Sequence, residues 1–145
     1  MKIRIARLKD LNQLYKMLNS YKEVNITKNN VYSKKFIKDT IQDPNSCLIV
    51  AEENKKIIGL LAAALWKKHG ISYWDTVIVD KSFRDKGIFT RIYNYYLKIL
   101  KKNKISYFWC LVKHDNHKIQ KILKRFKIKK QGLCYFYDKE FKYGL

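Results

Sequence analysis

The chain has one proline, Pro44, and five glycines in 145 residues, so collagen-like and low-complexity readings are excluded and most of its length is free to form regular structure. It has no hydrophobic run of membrane length. The longest, Ile57 to Trp66, is about half of a bilayer span, and Met1-Lys2-Ile3-Arg4 opens without the apolar core of a secretory signal. The expectation is a cytoplasmic protein with no membrane partner. Cys47, Cys110 and Cys134 form no Cys-x-x-Cys pair, which argues against a disulfide framework or zinc ribbon and for reduced thiols. His114 and His117 have no neighbouring Cys or Glu to complete a ligand set, so no metal is expected. Acidic residues are scarce, 12 against 32 basic ones, for a formal charge of +20. Arginine is scarce in turn: five of the basic residues, the rest being lysine. Lysine, isoleucine, asparagine and tyrosine all have A/T-rich codons, so genome composition explains the charge as well as a selected polyanion surface does. Arginine would be the sharper sign of phosphate recognition. A nucleic-acid partner stays open on charge alone.

What is present is 47% hydrophobic residues in a length that suits a single domain over 1–145. Lys2 to Ala6 alternates as a half-buried strand, and Asp10 with Gln13 resembles a capping box before Leu11, Leu14, Tyr15 and Leu18 at helical spacing. Tyr21 to Val31 reads as a loop and Ser33 to Ile41 as a short helix ended by Asp43-Pro44-Asn45. Cys47–Glu52 and Ile57–Trp66 form a hairpin about a polar turn, and Ser72–Asp80 a third strand. Gly87 opens a long helix with Ile88, Ile92, Tyr95, Tyr96 and Ile99 on one face. Ile105–Val112 reads as a strand buried on both faces, Asn116–Phe126 as a helix and Leu133–Phe141 as a last strand. The order is β-α-α-β-β-β-α-β-α-β. It implies an α/β fold of the α+β type, with one parallel crossover in a mostly antiparallel sheet flanked by helices.

The segment richest in chemistry is Val79-Asp80-Lys81-Ser82-Phe83-Arg84-Asp85-Lys86-Gly87-Ile88-Phe89-Thr90-Arg91. A strand enters a short basic loop, glycine stands at the turn and a helix follows. The first N–H groups of a helix lack intrahelical partners, and the dipole is positive there, so this is an anion site with Arg84 and Lys86 adding full charges. A tight βα turn with solvated lysines is the plainer alternative. No Gly-Lys-Ser/Thr ending marks a nucleotide P-loop.

The run from Val79 to Phe89 resembles motif A of the GNAT family of N-acetyltransferases, in which an Arg/Gln-x-x-Gly-x-Gly/Ala loop after the fourth strand holds the coenzyme A pyrophosphate. Arg84 and Gly87 match, while Phe89 stands where Gly or Ala is usual. The resemblance extends to Ile3–Asp10, to Val50–Gly59 and to the Asn116-x-x-Ile119-x-x-Ile122-Leu123 run, so it covers nearly the whole chain. It implies an acetyl-CoA-dependent enzyme that moves an acetyl group to a primary amine by direct attack. The coenzyme would be held by the backbone of Val77, Ile78 and Val79, by the loop from Arg84 and Asp85 through Lys86, Gly87, Ile88 and Phe89, and by Asn116.

Direct transfer needs a base for the ammonium and a proton for the leaving thiolate. Asp75, upstream on the fourth strand among Tyr73, Trp74 and Val77, is the candidate base, with burial expected to raise its pKa. The tyrosine that serves as acid in the family falls at Leu123, which cannot donate. Tyr135 and Tyr137 are the candidates to replace it, with Cys110, His114 and water as alternatives. The acceptor, a small amine or a peptide amine, is expected among the aromatic residues Tyr21, Tyr32, Trp66, Tyr73, Trp74 and Tyr135. Monomer and homodimer are equally compatible. The competing class is a catalytically silent module of the same fold that binds RNA or another polyanion.

Overall fold

The computed structural model describes residues 1–21, 32–113 and 115–132, divided between two compact units, Met1–Cys110 and Leu111–Leu145. The first is built on a five-stranded sheet in spatial order β1 (Lys2–Ile5), β2 (Ser46–Glu53), β3 (Lys56–Trp66), β4 (Ile71–Val79), β5 (Tyr107–Cys110). Neighbours are antiparallel except β4 and β5, which are parallel. The β2–β3 turn places Asn54 and Lys55 at φ 49° and 63°, the two-residue left-handed geometry that suits the twist of a hairpin.

Helices α1 (Leu11–Ser20) and α2 (Lys34–Gln42) cover one sheet face, and α3 (Ile88–Lys102) the other. The assignment follows from neighbours on β3. Leu60 belongs to a cluster with Leu14, Leu18 and Ile37, whereas Gly59, pointing the other way, lies against Ile88 and Ile92. The absence of a side chain at Gly59 lets the start of α3 sit close to the sheet: a Cβ there would come within 3.1 Å of Ile92 Cδ1 and 3.2 Å of the Ile78 carbonyl. Ser33 caps α2 by accepting from Phe36 N at 3.1 Å. The face of α3 turned to the sheet is Ile88, Ile92, Tyr93, Tyr96 and Leu100. Tyr95 and Ile99, expected inward, are half-buried, because the straight helix follows a 3.6-residue period that brings Tyr93 and Leu100 under instead. Tyr96 is fully buried and keeps its hydroxyl satisfied on Ser72 Oγ at 2.7 Å, which in turn donates to the Ala64 carbonyl.

Asp10 and Gln13 do not form the expected capping box. Asp10 accepts both Arg4 Nη atoms, at 2.6 and 2.9 Å, and the Arg7 N–H, while Arg4 also binds Glu52. Gln13 instead ties α1 to the hairpin, donating to Lys55 O at 3.1 Å and accepting from Ile57 N at 2.8 Å. A buried charge demands a partner more strongly than a helix end does, so Arg4 recruits Asp10. The strand expected to be covered on both faces is also corrected. Only Tyr107–Cys110 form β5, and Tyr107 and Trp109 are exposed.

In the second unit α4 (His117–Arg125) is capped by Asn116, whose Oδ1 accepts from Ile119 N at 3.2 Å. Its expected apolar stripe, Ile119, Ile122, Leu123 and Phe126, is half-buried. The last strand expected over Leu133–Phe141, and all of the Tyr21–Val31 loop after Tyr21, lie outside the described residues. Among the described residues, no helix is long and apolar enough to cross a membrane.

Candidate active site

The register between β3 and β4 slips once: Ala62 faces Thr76, and Ala63 faces Trp74. Asp75 is the extra residue of a β-bulge, which bends the strand and inverts its alternation. Before the bulge, Ser72 and Trp74 point toward α3. After it, Ile78 joins the α1–α2 cluster, and Thr76, in register with Ala62, shares that face. The pairing of β4 with β5 stops at Trp74↔Cys110, just before the bulge. From Asp75 to Val79, β4 therefore has no strand partner on its outer side among the described residues. Those five residues span about 13 Å of backbone, able to hydrogen-bond an extended ligand.

At the far end of this edge stands the basic loop. Asp80 accepts from Ser82 N at 3.0 Å and from Ser82 Oγ at 2.6 Å, contacts that hold its carboxyl below the usual range, with Lys56 adding to the effect. Arg84 turns back so that Nε donates to the Val79 carbonyl at 3.1 Å, and its guanidinium carbon lies 5.8 Å from the Tyr21 ring centroid. The Tyr21 hydroxyl accepts from Lys81 N at 3.2 Å. Tyr21, expected with the acceptor, thus braces the loop from beneath. Asp85 and Gly87 have φ of 62° and 74°. Aspartate tolerates that region better than most residues, and glycine without penalty. Among the described residues beyond its own neighbours and helix backbone, nothing lies within 4 Å of where a Gly87 Cβ would be, so the backbone at the helix start is open on that side. The first helical bond recorded there runs from Arg91 N to Gly87 O, at 3.2 Å. A cavity of about 230 Å³ lies alongside, lined by Phe83, Lys86, Ile88 and Arg91 with Met1 and Glu53. Arg91 is a basic residue of this cavity that motif matching passed over; its place one turn into the helix was the available signal.

Phe89, where the motif usually has a small residue, is taken up by the aromatic cluster on the α3 side, 5.7 Å from Trp74 and 6.1 Å from Tyr93 between ring centroids. Asp75 is not buried, contrary to expectation. The bulge turns it to solvent, and the Thr76 hydroxyl donates to its Oδ2 at 3.1 Å. Burial raises the phenol pKa values of Tyr32 and Tyr73, and the Asp75 charge pushes both further up, so the three groups share one neighbourhood. Tyr32 was expected among the aromatic residues of the acceptor site; Thr76 was not singled out in the sequence, since it carries no motif. Cys110 is a half-buried free thiol whose pKa burial raises, in keeping with a packing role; Cys47 is buried and pushed up to about 12. Asn116 and Leu123 belong to the second unit, while Tyr135, Tyr137, His114 and Cys134 lie outside the described residues.

The acetyltransferase (GNAT) family model matches residues 11–127. The chain belongs to the GNAT family. Solved structures share the GNAT fold at low identity. The aminoglycoside N-acetyltransferase AAC(6')-Iy in complex with CoA superposes with a TM-score of 0.79 at 14% identity, over 97% of this chain and 100% of that one. An aminoglycoside acetyltransferase from an uncultured soil metagenomic sample gives 0.80 at 14%, over 96% of each chain. The ribosomal-protein-alanine N-acetyltransferase of Brucella melitensis gives 0.74 at 14%, over 96% and 100%. A sequence search of curated proteins finds no match. As a GNAT protein the chain is an N-acetyltransferase drawing on acetyl-CoA. The same fold serves an antibiotic amine in one neighbour and a protein amine in another, so the acceptor must be argued from this chain's own residues.

Proposed function

We propose that the chain transfers the acetyl group of acetyl-CoA directly to a primary amine seated beside Asp75. The observation that carries this is the unpaired β4 edge, which joins the open helix start at Gly87 to the bulge at Asp75. The pyrophosphate is assigned to the loop from Arg84 and Asp85 through Lys86, Gly87 and Ile88 to Phe89, which carries the open helix start and the charges of Arg84 and Lys86. The pantetheine arm follows the backbone of Val77, Ile78 and Val79, which brings the thioester toward the bulge. Asn116 completes the cofactor set by resemblance, though its side chain already caps α4.

Asp75 accepts a proton from the ammonium, directly or through one water. The freed amine attacks the thioester carbonyl, the tetrahedral adduct's nitrogen loses its second proton to water, and the C–S bond breaks to give amide and thiolate. Solvent exposure at Asp75 favours passing the proton on to water. Tyr135 and Tyr137 are the proposed proton donors to the thiolate, in the role that Leu123 cannot fill. A coenzyme thiol is acidic enough, near the cysteine value of about 8.5, that an unassisted thiolate is tolerable. The test is thiol release from acetyl-CoA over a panel of primary amines, with mass analysis of the product. At least one amine gives a stoichiometric N-acetyl product if the reading holds. Hydrolysis alone, with no amine acetylated, would refute direct transfer.

A further inference from the structure

Beyond the bulge, on the α2 side of the sheet, register brings together a surface that the coenzyme does not require. Tyr73 of β4 is the Cα partner of both Ala64 on β3 and Trp109 on β5, and Trp66 closes the β3 end of the same row. The Tyr73 and Trp109 rings lie 4.5 Å apart between centroids, and Trp66 and Trp109 6.4 Å, tilted rather than stacked flat. Both tryptophans keep much of their surface in water, 36% for Trp109 and 45% for Trp66, unusual for the largest apolar side chain. Ala62 and Ala64 put small side chains on this face of β3, and Tyr32, just before α2, packs with Ala62 against the same core cluster. Among the described residues, the carboxylate whose charge reaches both Tyr32 and Tyr73 is Asp75, two residues along β4 from Tyr73.

Most of the other described carboxylates are already engaged: Asp43 accepts from Asn45 N and Ser46 Oγ, and Glu53 lies 3.9 Å from the Met1 amine. Asp10 and Glu52 hold Arg4, Asp39 holds Lys35, and Asp80 is engaged by Ser82 and Lys56. Residues 22–31 and 133–145 together contribute three acidic side chains against four lysines, so they bring no surplus of negative charge. A substrate with several ammonium groups would meet, among the described residues of this face, the Asp75 carboxylate on a protein of net charge +20. A substrate with one ammonium and a flat apolar body would meet that carboxylate with its amine and the tyrosine and tryptophan rings with its body.

Taking the acetyl-transfer reading above as its basis, we infer that the acceptor is a monoamine with an aromatic body, an arylalkylamine in chemical class, held by Tyr73 and Trp109 with its amine at Asp75, and not a polycationic amino sugar.

The experiment compares acetylation of 2-phenylethylamine and of sisomicin by the full chain, alongside calorimetry of coenzyme A. The expected result is a kcat/KM for phenylethylamine at least a hundredfold above that for sisomicin. In Trp109→Ala, KM for phenylethylamine rises about three- to tenfold, the worth of one aromatic contact, while coenzyme A affinity stays at the wild-type value and shows that the fold is intact. Trp109→Phe restores most of the lost affinity. A higher kcat/KM for sisomicin overturns the inference, as does an unchanged KM in Trp109→Ala. If neither amine is acetylated while coenzyme A still binds, the acceptor class is wrong and the coenzyme reading stands. If coenzyme A itself does not bind, the acetyl-transfer reading falls and the inference with it.

Discussion

Gly87 and Gly70 offer a matched pair of perturbations that separate backbone strain from ligand approach. Both sit in the left-handed region, at φ 74° and 66°. Among the described residues neither would clash on gaining a Cβ: Gly87 has nothing within 4 Å beyond its own turn, and Gly70 meets Lys104 O at 3.7 Å and Ser106 Oγ at 3.8 Å. Alanine in that region costs about 1–2 kcal/mol, so Gly87→Ala and Gly70→Ala should be destabilised alike, read as similar losses in urea unfolding and a fall of about 2–4 °C per kcal/mol in Tm. Their effects on coenzyme A should differ sharply. A methyl at Gly87 intrudes where the pyrophosphate meets the helix N–H groups, and each charge-assisted hydrogen bond is worth about 1.5–3 kcal/mol, so Kd should rise about ten- to a hundredfold. Gly70 lies at the opposite end of β4, and its variant should bind coenzyme A as wild type does. Isothermal titration on the two variants decides the matter. Equal losses of affinity, or wild-type binding by Gly87→Ala, would refute the placement of the pyrophosphate at the helix start.

Asp75→Asn should lower kcat by about 10²- to 10⁴-fold with little change in coenzyme A affinity, as for a group that acts in proton transfer; wild-type turnover would remove Asp75 from the mechanism. Gly59→Ala should cost about 1–3 kcal/mol in denaturant unfolding, because Ile92, Ile88 and the Ile78 carbonyl already crowd the position and the carbonyl cannot step aside; an unchanged midpoint would mean that α3 is free to lift from the sheet. Asp10 is held below the usual carboxylate range chiefly by its hydrogen bonds from Arg4, so its contribution to stability is complete above an unfolded pKa near 3.9 and is lost as pH falls through the lower folded value. Asp10→Asn should therefore cost about 3–5 kcal/mol near neutral pH and flatten the acid limb of the stability profile, whereas a wild-type acid limb in the variant would place that pH dependence on other carboxylates.

Strand and helix positions were legible wherever one side chain period dominated. The hairpin of β2 and β3, the helix start at Gly87 and the parallel crossover to β5 all follow from local pattern and are observed. The bulge was not legible. Ser72, Trp74, Thr76 and Ile78 are all buried in an unbroken alternation, yet they serve opposite faces, and only the pairing with β3 records the inversion at Asp75. That is why Asp75, placed by pattern among buried neighbours, is found in solvent. Asp10 and Gln13 show a second kind of failure: a local capping motif was outbid by long-range partners, Arg4 for the acid and the hairpin backbone for the amide. Phe89, a departure from the motif, is accommodated by Trp74, an aromatic neighbour supplied by a strand 15 residues earlier and invisible to local pattern.

The measurement that bears most directly on coenzyme binding at the β4–α3 loop is calorimetric titration of coenzyme A into wild type, Arg84→Glu and Lys130→Glu. Both variants change net charge equally, and Lys130 is an exposed lysine of the second unit. Arg84 is fixed to Val79 at the end of the unpaired β4 edge. Arg84→Glu is expected to weaken coenzyme A at least tenfold, from the loss of a charge-assisted bond and the like charge put in its place, with Lys130→Glu close to wild type. Equal weakening by the two substitutions would mean that the coenzyme is held by diffuse positive charge and would contradict a site built at Gly87.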